Sequence, residues 1–173
     1  KDILALDSIG KPEKLVKLLQ ALALQIGSQV SYNEIGQLVG LDTKTVDRYI
    51  DVLEKNYVIF RLGSFARNLR NELKASRKIY FYDNGIRNAV LANFSMLESR
   101  THEEAGALWE NFIISERIKH NAYSDSYCNS WFWRTQQQKE IDYIEEEDGQ
   151  ISTFEFKWNP GAKYKYPQQF IEA

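Results

Sequence analysis

One cysteine, Cys128, in 173 residues rules out an intrachain disulfide framework. With only two histidines, His102 and His120, the chain also lacks the ligands for a structural zinc site. Three prolines and an aromatic share of 13% argue against a disordered chain. No apolar run approaches the roughly 18 residues that a membrane span needs, and the opening residues carry no signal-peptide pattern. The phosphate-cradling stretch G-x-x-x-x-G-K-[ST] is missing as well. What remains is a chain expected in the reducing cytoplasm, away from membranes, with 43% hydrophobic residues to fill one core or two small ones.

Charge is scarce in sum and strongly segregated. The net charge of −2 hides a run at 61–78 in which Arg61, Arg67, Arg70, Lys74, Arg77 and Lys78 face the single acid Glu72. Residues 140–148 are the reverse, with Glu140, Asp142, Glu145, Glu146, Glu147 and Asp148. Phosphate affinity grows with the number of cations presented, so Arg67, Arg70 and Lys74 are candidates for nucleic-acid backbone contact. A solvated charged face is the plainer alternative.

In the first half, Leu15, Leu18, Leu19, Leu22 and Ile26 recur at helical spacing and predict a helix that stops at Gly27. Ser31 and Glu34 stand at capping-box spacing ahead of a short helix that buries Ile35, Leu38 and Val39. After Gly40 and Leu41, Asp42 caps a third helix with the stripe Val46, Ile50 and Leu53 and with Tyr49 alongside. A short helix, a tight glycine turn and an amphipathic helix form a helix-turn-helix. Strands at 57–63 and 78–83 then make it a winged helix. Lys44 and Arg48 on the exposed side of the third helix would meet DNA. Asp47, Asp51 and Glu54 on the same helix would repel phosphate, and winged helices also serve as protein-interaction modules; both uses stay open.

In the second half, Thr101 and Glu104 cap a helix whose stripe is Ala105, Leu108, Trp109, Phe112 and Ile113. Glu110 interrupts that stripe. Either its tip reaches water at the rim, or it is held for a metal or a lysine, because a carboxylate there costs energy unless paired. "SWFWR" at 130–134 reads as a strand, and Asp148-Gly149 turns a hairpin between "KEIDYIEE" and "ISTFEFK". Residues two apart share a strand face. Glu140 and Asp142 therefore lie together, as do Glu155 and Lys157, with Phe154 and Phe156 turned to the core. A register that aligns the polar faces brings Asp142, Glu155 and Lys157 together and leaves Glu145 to Asp148 as the wet tip. Two carboxylates can hold Mg²⁺ through hard oxygens, and a nearby lysine can stabilise charge on phosphorus. A lysine that merely neutralises buried acids would look the same.

Glu110 on a helix, Asp142 on a strand and Glu155-Phe156-Lys157 on the next resemble the PD-(D/E)xK nuclease superfamily, with Ile141 where that superfamily often has proline. More narrowly, "VSYNEIGQLVGLDTKTVDRYIDVLEKNYVIFRLGSFARN", "KIYFYDNGIRNAVL", "LWENFIISE", "FWRTQQQKEIDYI" and "FEFKW" resemble, in order, the C-terminal region of bacterial and archaeal AAA-type ATPases that carry a DUF4143 domain. The resemblance implies an α/β chain with a winged helix-turn-helix at 1–95. A restriction-endonuclease-like α/β domain with a small mixed sheet follows at 96–173, truncated at its C-terminal end. ATP would bind only in an N-terminal module absent from this chain, and that module and DNA are the implied partners. Carried over, Asp142, Glu155 and Lys157 are the catalytic residues, and Glu110, Asp142 and Glu155 the ligands of Mg²⁺ or Mn²⁺. Glu140 and Arg134 support them, Arg134 by binding a phosphate or by pairing with the acids. Lys44, Arg48, Arg67, Arg70 and Lys74 contact nucleic acid, and Trp109, Trp131, Trp133 and Trp158 serve packing. Three functions follow: a metal-dependent nuclease beside a DNA-sensing winged helix, a non-catalytic binding module, or an interaction domain that regulates the ATPase.

Overall fold

The computed structural model describes residues 10–66, 77–124, 127–135, 137, 139–159, 161 and 163–172. Helix α1, Pro12–Leu24, starts on a proline, whose missing N–H has no intrahelical partner to lose. It buries Leu15, Leu18 and Leu22, and the chain turns at Gly27 with φ 74°. Helix α2, Tyr32–Val39, is capped by Ser31, whose hydroxyl accepts the Glu34 N–H at 3.3 Å, and closes at Gly40 in the left-handed region. Helix α3, Thr43–Lys55, is capped by Asp42, which accepts from the Thr45 N–H and hydroxyl. Val46, Tyr49, Ile50 and Leu53 fill the core beneath it. Leu38, expected inside, is 70% exposed. Ile35, Gly36 and Val39 set the inner stripe of α2, and Gly36 packs so close to the Leu41 carbonyl that a Cβ would come within 2.6 Å of its oxygen. Leu38 is turned out by that approach.

Among the described residues six strands form one mixed sheet: β1 Gln29–Val30, β2 Ile59–Ser64, β3 Arg77–Phe81, β4 Asn129–Arg134, β5 Glu140–Glu147 and β6 Gln150–Phe154. Their spatial order is β1-β3-β2-β4-β5-β6, with β2 and β4 parallel and every other pair antiparallel. Among the described residues no helix is long and apolar enough to cross a membrane.

Strands β2 and β3 are covered on both faces. Ile59, Ile79 and Phe81 join the core under α1, α2 and α3. Phe60, Leu62 and Tyr80 join a second core with Ile114, Phe132 and Tyr143. Alternation along β3 therefore sends Lys78, two residues before Tyr80, to a buried face. After helix α4, Asn84–Val90, helix α5, His102–Tyr123, packs on that second face. Its buried positions are Ala105, Leu108, Asn111, Ile114 and Ser115, while Phe112 is 46% exposed against expectation. Asn111 decides this rotation. Its amide accepts the Phe81 N–H at 2.8 Å and donates to the Phe81 carbonyl and to Asn84, satisfying the end of β3. Glu110 is thereby aimed at the neighbouring β3 side chains.

The β5–β6 hairpin turns on Asp148 and Gly149, both at positive φ, as a two-residue type I′ turn requires. Strand β5 carries one extra residue. Trp133 pairs with Ile141 and Trp131 with Ile144, so Asp142 and Tyr143 together oppose Phe132. This bulge moves the later residues of β5 to the opposite face from the one strict alternation assigns. Glu145, expected in the wet tip, is 5% exposed and accepts from Arg117 at 2.8 Å and from Asn121 at 2.8 Å. Strand β6 ends at Phe154, so Glu155, Phe156 and Lys157 follow it rather than continue it. The last helix, α6, is Gln168–Glu172.

Candidate functional site

A cleft of about 400 Å³ opens between α5, the start of β5, the segment after β6 and the turn at Gly27; Lys78, Glu110, Glu140, Asp142 and Lys157 line it. Lys157 Nζ stands 3.9 Å from Asp142 Oδ2 and contacts Glu155 Oε1 directly. The Phe156 N–H donates to Asp142 Oδ2 at 2.8 Å, fixing the acid against the segment that carries the lysine. Glu155 Oε2 is buried with no hydrogen-bond partner. Asp142, Glu155 and Lys157 therefore lie together, although two of them fall just beyond a strand.

Glu110 is held rather than solvated. Its Oε1 accepts from the Tyr80 hydroxyl at 2.6 Å and pairs with Lys78 Nζ at 3.2 Å. The same ammonium contacts Glu140 Oε1, lies 5.4 Å over the Phe132 ring and is 2% exposed. Arg134 also reaches Glu140, Nε to Oε2 at 3.4 Å, so the arginine pairs with an acid. Gly27 closes one side: its φ of 74° disfavours a side chain, and a Cβ there would sit 3.4 Å from Glu110 Oε1. Tyr164 donates to the Glu140 carbonyl at 3.2 Å, and its ring lies 5.9 Å from Lys157 Nζ.

Four acids, Glu110, Glu140, Asp142 and Glu155, thus meet three cations, Lys78, Arg134 and Lys157. Burial shows in two of the acids. Burial, with a further push from Glu155, raises Asp142 to about 6 against the opposing Phe156 N–H and Lys157. Burial also raises Glu110, more than Lys78 lowers it. Burial works to lower the lysines, but Glu110 and Glu140 around Lys78, and Glu155 and Asp142 around Lys157, outweigh it and raise both.

Among the described residues no three His, Cys, Asp or Glu side chains are grouped to hold a metal ion jointly. Glu110 is occupied by Lys78 and Tyr80. Asp142 lines the cleft, and Glu155, joined to it through Lys157, keeps a buried oxygen, Oε2, without a hydrogen-bond partner.

On the other half, Lys44 and Arg48 are exposed on α3, the Arg48 guanidinium lying 5.5 Å from the Tyr49 ring centre. The acids of α3 are tied to Arg61, which reaches Asp51 at 2.6 Å, Glu54 at 2.9 Å and Asp47 at 3.4 Å. Two members of the basic run are therefore internal: Arg61 neutralises α3 and Lys78 is buried. Arg67, Arg70 and Lys74 lie outside the described residues. Trp109 packs on Trp158, Trp131 on Phe65 and Trp133 on Phe170.

Sequence marks Lys78 only as one charge of a basic run and Gly27 only as a helix stop, and does not single out Tyr80 or Asn111. A signal existed for Lys78, since a lysine opening an apolar strand must find a partner if that strand is central.

Residues 1–97 match the model of a domain of unknown function, DUF8612, and residues 105–173 that of a domain of unknown function, DUF4143. Over 136 residues, 79% of the chain, it is 29% identical to an uncharacterized protein of Mycobacterium bovis and to one of Mycobacterium tuberculosis. The chain spans about 30% of the length of these curated relatives. No solved structure matches it.

Proposed function

Since this chain belongs to the DUF8612 family and carries a DUF4143 domain, we propose that its cleft hydrolyses phosphodiester bonds of nucleic acid with the help of a divalent cation. The meeting of Asp142, Glu155 and Lys157, with Glu155 Oε2 left unpartnered, carries this reading. Asp142 and Glu155 would hold Mg²⁺ or Mn²⁺, which when bound polarises a phosphoryl oxygen and acidifies water. The chain's own residues do the rest. The Phe156 N–H orients Asp142. Lys157, 44% exposed at its side chain, presents its ammonium to charge that develops on the phosphoryl oxygens.

The three helices and the β1-β3-β2 sheet act in this reading as a winged helix that holds the duplex, with Lys44 and Arg48 exposed on α3. An AAA-type ATPase module is our assignment for part of the longer protein to which such a chain belongs. Supercoiled DNA incubated with Mg²⁺ or Mn²⁺ provides the test: the protein should nick it and Asp142→Ala should not. Equal nicking by both would count against the reading.

A second reading has support in Lys78, buried between Glu110 and Glu140. A structural ion-pair cluster of this kind suits a binding or regulatory module of the ATPase. Salt-sensitive DNA binding without metal-dependent nicking would favour it.

A further inference from the structure

Lys78 enters the cleft from β3, in the part of the chain matched by DUF8612, while the acids it contacts belong to the DUF4143 part. Its backbone lies in a strand paired on both sides, by β1 and by β2. Its ammonium is held between Glu110, Glu140 and the Phe132 ring at the wall of the cleft and is 2% exposed. Lys157 differs in each respect. It follows the end of β6, its side chain is 44% exposed, and it can withdraw from Asp142 and Glu155 without disturbing a strand.

We propose that Lys78 is a positioning residue, a built-in counter-ion that bars a divalent cation from Glu110 and Glu140 and confines such an ion to Asp142 and Glu155. An ion seated on Glu110 or Glu140 would lie against a fixed like charge in a site of low polarisability, where repulsion is strong. Tyr80 reinforces the bar by donating to the same Glu110 oxygen that faces Lys78. Confinement to Asp142 and Glu155 rests on the proposed divalent-ion chemistry; exclusion from Glu110 and Glu140 stands without it. One consequence is that the DUF4143 part depends on a cation from the DUF8612 part for its charge balance.

Calorimetric titration of the whole chain with Mn²⁺ at neutral pH tests this, comparing wild type with Lys78→Met and Lys78→Arg. Lys78→Met should bind one ion more per chain than wild type, and Lys78→Arg the same number as wild type. The same number and affinity in Lys78→Met as in wild type overturns the proposal. If wild type binds none and Lys78→Met binds one, the divalent-ion reading of Asp142 and Glu155 fails while the role of Lys78 holds. Should Lys78→Met not fold, the carboxyl ¹³C resonances of the wild-type protein decide. Those of Glu110 and Glu140 stay in place as Mg²⁺ is added, and movement of either with the ion overturns the proposal.

Discussion

The Phe156 N–H donates to Asp142 Oδ2 at 2.8 Å, tying the segment after β6 to the bulge of β5 through an acid that is 5% exposed. That burial has a measurable consequence. Asp142 is raised to about 6 in the fold, against 3.8 for the same side chain free in water. The folded chain therefore binds this proton more tightly than the unfolded chain. Stability from this group is present at low pH and is lost as pH rises through the window from about 4 to 6. Burial of Glu110 acts in the same sense. Urea unfolding should find the protein more stable at pH 5 than at pH 7. Asp142→Asn keeps an oxygen for the Phe156 N–H and removes the buried charge, so it should gain about 2 kcal/mol at pH 7 and flatten much of that slope.

Arg117 and Glu145 should respond unequally to mutation. Glu145 has a side chain 6% exposed and Arg117 one 39% exposed. Removing the arginine strands a carboxylate inside, whereas removing the acid leaves a guanidinium able to reach water. Arg117→Met should cost about 3 kcal/mol in urea unfolding, and Glu145→Gln distinctly less.

Cations that meet phosphate and cations that meet protein should separate in salt dependence. Lys44→Gln and Arg48→Gln should each lower the slope of log affinity against log salt by about 0.9 in fluorescence anisotropy with duplex DNA. Arg61→Gln should weaken binding by unmasking Asp47, Asp51 and Glu54 while leaving the slope unchanged.

Local signals were legible where the structure is local. Ser31, Asp42 and Thr101 cap their helices through side-chain bonds that reach three residues ahead, and Asp148-Gly149 turns a hairpin of adjacent strands. The meeting of Asp142, Glu155 and Lys157 follows from that hairpin and could be read from it. Glu145 could not, because its face depends on a bulge set by pairing with β4 around Phe132, a relation that the alternation of β5 does not contain. Lys78 and Arg61 looked like two more charges in a basic run. Their burial and pairing follow from β3 lying between β1 and β2, which sets Lys78 against acids far along the chain, and from α3 packing against β2, which sets Arg61 against acids of the preceding helix. Phe112 and Leu38 show the same limit on a smaller scale: periodicity finds a stripe, but Asn111 and Gly36 decide which edge of it is buried.

The account stands on Asp142, Glu155 and Lys157 acting together on a phosphodiester, and single-turnover cleavage of end-labelled DNA by Lys157→Met, beside wild type, tests that most directly. Cleavage by wild type should require Mg²⁺ or Mn²⁺, and loss of the ammonium should slow it by about 10²–10³-fold, measured at a temperature at which circular dichroism shows the variant fully folded. Equal rates for the two proteins, or cleavage that persists in a metal chelator, would contradict it.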